Sequence, residues 1–169
     1  MKKAIFILLA LFITTQALFS CKKSDDSTNS VIQNQWRVND SVFTATQSYH
    51  STNPIYSLAF LDIKNGSSYW NGLVFTFNGS ATPASGKYKM TNKFTGTANE
   101  VSVLAYKYYE QNGFIFDPKN YVAVTADSPL VTVTANGDKL TVSLPEVWAV
   151  RSESPHDSVR ISAQLLHGQ

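Results

Sequence analysis

Five of the eight glycines in this chain directly follow an asparagine: Asn65-Gly66, Asn71-Gly72, Asn78-Gly79, Asn112-Gly113 and Asn136-Gly137. Asn-Gly accepts the positive φ that tight turns require, and between alternating apolar segments it marks a hairpin. The clearest case runs Val131-Thr132-Val133-Thr134, then Ala135 to Lys139 around Asn136-Gly137, then Leu140-Thr141-Val142-Ser143-Leu144. Asn39-Asp40 reads as a further turn, between Trp36–Val38 and Val42–Ala45, and Asn71-Gly72 as a turn or a bulge near a strand start. Alternation recurs in Leu73, Phe75 and Phe77, and in Val159, Ile161, Ala163 and Leu165. Other expected strands are 41–46, 55–62, 86–91, 100–109, 119–125, 130–134 and 146–151. No stretch after Val31 has helical periodicity, and Val, Thr, Tyr and Phe suit half-buried pleated surfaces. About nine short strands without a helix predict an all-β fold, an antiparallel β-sandwich over 31–169. A sandwich is preferred to a barrel because both faces of 101–108 are apolar. The core is expected to hold Trp36 and Trp148.

The N-terminus has a different character. Lys2 and Lys3 precede ten apolar residues, Ala4 to Ile13. Ten residues rise about 15 Å as a helix, half of a bilayer core roughly 30 Å thick, so residues 1–20 read as a signal peptide. The leader ends in Leu18-Phe19-Ser20-Cys21, which resembles a bacterial lipobox: an aliphatic residue, a small residue before the cut, and the cysteine that takes the lipid. Phe19 is bulkier than usual there. Cleavage between Ser20 and Cys21 with acylation of the Cys21 thiol would anchor the chain, since each buried methylene contributes about 0.8 kcal/mol. Cys21 is the only cysteine, so an intrachain disulfide is excluded. Residues 21–30 form a polar tether. Ser24-Asp25-Asp26 in that tether fits an acidic export signal that directs lipoproteins to the cell surface, and Ser27 fits a D-[ST]-hydrophobic O-glycosylation pattern. Without Lys2 and Lys3, the 14 cationic residues become 12, equal to the 12 acidic ones, so the electrostatic term for nucleic-acid binding is missing.

Trp36-Arg37-Val38-Asn39-Asp40, Phe43-Thr44-Ala45, Gly86-Lys87-Tyr88, the 130–144 hairpin and Ile161-Ser162-Ala163 together resemble the small uncharacterised β-sandwich lipoproteins of Bacteroidota. The chain departs from that pattern at Ala163, where glycine is usual, and at Pro129-Leu130. The resemblance implies an outer-membrane location and a sandwich fold, and it brings no catalytic residues with it.

Chemistry is sparse. The three histidines, His50, His156 and His167, stand apart from any G-x-S-x-G elbow, and His50 and His156 read as loop residues. Metal motifs and a phosphate-binding glycine loop are missing from the sequence, so neither catalysis nor a cofactor or metal is expected. Aromatic residues make up 12% of the chain. Tyr106, Tyr108 and Tyr109 beside Lys107 are the candidate ligand platform, because consecutive rings on a strand cannot all face inward. The expected function is a lipid-anchored, non-enzymatic binding or accessory module whose partner is a glycan or an envelope protein. The alternatives are a small envelope hydrolase and a barrel carrying an apolar ligand.

Overall fold

Alternation sends one row of side chains from most strands into a common interior, and that interior organises the whole sheet. The computed structural model describes residues 34–63, 69–111, 114–124, 129–153 and 157–168. The lipobox, Cys21 and the tether with Ser24, Asp25, Asp26 and Ser27 lie outside the described residues, as does His156. The described chain is all-β and forms eleven strands: β1 (Gln35–Val38), β2 (Ser41–Thr44), β3 (Gln47–Ser51), β4 (Ser57–Ile63), β5 (Tyr69–Phe77), β6 (Gly86–Met90), β7 (Glu100–Gln111), β8 (Phe114–Ala123), β9 (Leu130–Asn136), β10 (Lys139–Arg151) and β11 (Ser158–His167).

All eleven belong to one sheet, in the order β2-β1-β11-β10-β9-β6-β7-β5-β4-β3, with β8 paired to both β10 and β7. The sheet is mixed, because β6 and β7 run parallel. Two features turn it back on itself. Strand β8 joins β7 to β10 beyond the point where β6 and β9 end. The first and last strands of the order, β2 and β3, are also consecutive in the chain. At the corner between them the Ala45 N–H donates to the Asn34 carbonyl (2.9 Å) and the Thr46 N–H to the Leu61 carbonyl (2.8 Å).

The alternating segments behave as their pattern predicts. Leu73, Phe75, Phe77, Leu140, Val142, Leu144, Val159, Ile161, Ala163 and Leu165 are all buried. The 131–144 hairpin forms, with Asn136 opposite Lys139 and Gly137 at φ 58°. Asn39 at φ 51° turns β1 into β2. Gly72 does not turn the chain. It lies inside β5, where a Cβ would come within 2.3 Å of the Tyr106 ring.

Several expectations need correction. There are eleven strands where about nine were expected, and one mixed sheet stands where a wholly antiparallel arrangement was predicted. Strand β3, Gln47-Ser48-Tyr49-His50-Ser51, is polar and largely exposed, so it carries no apolar alternation to betray it, and His50 is a strand residue rather than a loop residue. The segments 140–144 and 146–151 are one strand. A register shift between Leu144 and Val147 sets two residues, Pro145 and Glu146, against Ser162 alone. A bulge of this kind flips every later side chain to the other face, and proline tolerates the lost ladder bond there. Val147 and Ala149 therefore point inward, while Trp148 is 55% exposed beside Arg160. Trp148 is thus outside the core, and Trp36, 1% exposed, is in it.

These two tryptophans give a direct check. Trp36→Ala should cost about 3–5 kcal/mol in urea unfolding, as large aromatic truncations in cores do. Trp148→Ala should cost under about 1 kcal/mol, because it removes only a surface ring and its cation–π contact.

Candidate functional site

The interior row does not stay apolar to the end of the strands. On β5, β7 and β8 the buried positions Leu73, Ala105 and Ala123 share their face with Asn71, Lys107, Lys119 and Tyr121 by two-residue alternation. Asn71 pairs with Lys107, and Lys107 pairs directly with Lys119. The β1–β2 hairpin faces this row and contributes Trp36 and Phe43, themselves a cross-strand pair whose rings stack at 5.5 Å. Between the two lies a cavity of ≈ 270 Å³ lined by these residues together with Asn39 and Ser41.

The lysine pair is the unusual element. Like charges directly opposite on neighbouring strands are destabilising by a few tenths to about 1 kcal/mol. Among the described residues no acidic side chain lines the cavity and no ion pair engages either lysine. Tyr121 is held by its hydroxyl, which donates to Asp157 Oδ2 at 3.0 Å. Asn39 is fixed from both sides by Arg160: its N–H donates to the Arg160 carbonyl at 2.8 Å, and its Oδ1 accepts the Arg160 N–H at 2.8 Å. The hairpin wall is therefore tied to β11, while among the described residues the lysines have no ion-pair partner.

The predicted tyrosine platform is only partly described. Tyr106 covers Gly72 and meets Trp70 edge-on at 5.4 Å, so its ring supports the strand pair beneath it. The backbones of Tyr108 and Tyr109 pair with Trp70 and Tyr69, and their side chains lie outside the description. Lys107 was singled out from the sequence. Lys119, Asn71 and the Trp36–Phe43 wall were not, because no local motif joins residues from four strands.

A second polar cluster joins β3 to β11. His50 Nδ1 lies 3.2 Å from His167 Nε2, and His167 Nδ1 lies 2.8 Å from Ser48 Oγ. The His50 ring also stacks on Tyr56 at 5.7 Å. The sequence, in which neither histidine lies near a G-x-S-x-G elbow, gives no sign of this contact across 117 residues of chain. Among the described residues, no group of three or more His, Cys, Asp or Glu is gathered to hold a metal ion.

No protein-family model, curated protein or solved structure matches this chain.

Burial first, and the neighbouring His50 ring second, hold the His167 imidazole below its ordinary value of 6.5. The folded state thus keeps the ring neutral where the unfolded chain would protonate it. This contribution to stability is complete above pH about 6.5 and is lost progressively as the pH falls below it. Urea midpoints measured against pH should decline on that side, and His167→Gln should flatten the decline.

Proposed function

We infer that this chain is a lipid-anchored outer-membrane lipoprotein of the Bacteroidota type, working as a non-enzymatic binding module in the cell envelope. The observation that carries the binding role is the cavity between the β1–β2 hairpin and β5, β7 and β8, where uncompensated lysines meet an aromatic wall. Small-molecule sites combine an apolar wall with a few convergent polar groups, and this cavity has both on a strand scaffold with a filled core. The anchoring role draws on Leu18-Phe19-Ser20-Cys21 after the apolar leader, and the family on the motifs from Trp36 to Ala163. In the same reading the closed sheet is a flattened sandwich whose two layers share the apolar interior. A barrel carrying an apolar ligand is disfavoured, because the interior is occupied by Phe60, Phe75, Leu165 and their neighbours.

The envelope hydrolase remains a second reading on one observation, the chain of contacts Ser48–His167–His50. It resembles a nucleophile, a base and an orienting group. Among the described residues no carboxylate contacts either ring. A fluorophosphonate probe that labels Ser48, with labelling lost in His167→Gln, would favour the hydrolase; an unlabelled folded protein removes it.

The anchor has its own test. In cells fed radiolabelled palmitate, the wild-type chain should carry label and sediment with outer membrane, and Cys21→Ser should lose both. An unlabelled wild-type chain sinks the anchoring claim.

A further inference from the structure

Resting on the binding role given to this cavity, we propose that its ligand is an acidic sugar: a single pyranose ring whose carboxylate is held between Lys107 and Lys119. Three features of the cavity converge on that chemistry. The two lysines occupy directly opposed positions on β7 and β8, strands about 4.8 Å apart, so their ammonium groups can approach one small anion from two sides. A carboxylate has two oxygens and takes one N–H from each. Asn71 on the same face and Ser41 on the hairpin wall also line the cavity; their side chains make no hydrogen bond to another described residue and are available to ring hydroxyls. Phe43, backed by the buried Trp36 ring stacked on it, and Tyr121 supply the apolar surface on which the C–H face of a sugar rests.

Size and charge narrow the choice. A cavity of ≈ 270 Å³ lies just below the usual range for small-molecule sites, enough for one ring and too small for a longer oligosaccharide. A chain of sugars would enter only by its terminal residue. A neutral ligand would leave the charges of the two opposed lysines without a counter-charge from any described side chain. The anion offsets the repulsion that the fold otherwise carries, so its charge does more for binding than any one hydroxyl. Lysine, a flexible point charge, also accepts a carboxylate without the fixed bidentate geometry that arginine imposes.

The test uses the full mature chain in detergent micelles at low salt. D-glucuronate, D-glucose and glucose 6-phosphate are titrated by calorimetry against wild type, Lys107→Gln, Lys119→Gln and the double variant. Glucuronate should bind wild type at least tenfold tighter than glucose, and each single substitution should weaken it about fivefold or more. The double variant should lose the preference. Glucuronate binding should fall as NaCl rises, because ions screen the attraction. Without ligand, the melting temperature of each single variant should equal or exceed that of wild type, since the like-charge pair is relieved. This melt also guards against misfolding as the cause of lost binding. Equal binding of glucose and glucuronate, unaffected by the lysine substitutions, overturns the acidic assignment and leaves the binding module standing. Preference for the phosphate over the carboxylate likewise overturns it. A folded wild-type chain that binds none of the three overturns the proposal. If a broad panel of neutral and acidic sugars and amino acids also fails, the binding reading falls with it.

Discussion

A sheet with one apolar face cannot remain open in water, and everything else in this molecule follows from how that face is covered. Here the sheet covers itself. The corner at Ala45–Thr46 is where this succeeds, because one continuous run of chain pairs first with β1 and then with β4. Asn34 holds the corner from three directions. Its carbonyl accepts the Ala45 N–H, its amide donates to the Ala45 carbonyl at 3.0 Å, and its Oδ1 accepts the Leu166 N–H at 3.1 Å. Thr46 completes the join, with its hydroxyl donating to the Leu61 carbonyl and accepting the Ile63 N–H. Each such bond contributes only about 0.5–1.5 kcal/mol net, but leaving these groups buried and unpaired would cost more.

Closure has a second consequence for the parallel β6–β7 pairing. Parallel neighbours need a long connection, and residues 91–99 provide it. Glu100, buried at the start of β7, fastens that connection. Its carboxylate accepts the Thr95 hydroxyl at 2.6 Å and the Thr95 N–H at 2.9 Å. These bonds hold its carboxyl below the usual carboxylate range. A buried carboxylate thus serves the topology, whereas Lys107 and Lys119, farther along the sheet, have no such partner among the described residues.

Much of the fold was legible from residue order. The alternation of Leu73 to Phe77, Leu140 to Leu144 and Val159 to Leu165 is a local property of pleated chain, and each row is buried. The turns at Asn39 and Gly137 were legible for the same reason, since positive φ is a demand of the turn itself. Strand β3 was not, because its two neighbours in space, β4 and the end of β11, supply what its own polar sequence lacks. The His50–His167 contact was equally hidden, being a product of closure.

Residue order by itself determined the all-β class, the tight turns and most of the inward rows, because these depend on φ preferences and a period of two. Tertiary structure alone decided the faces of Trp148 and Lys119. Both lie just past register shifts at prolines. From Gln111 opposite Phe114, an unbroken ladder would have set Lys107 against Pro118; the shift sets it against Lys119. In β10 the shift at Pro145-Glu146 turned Trp148 outward. One extra residue reverses every side chain beyond it, and where that residue falls is chosen by the partner strand.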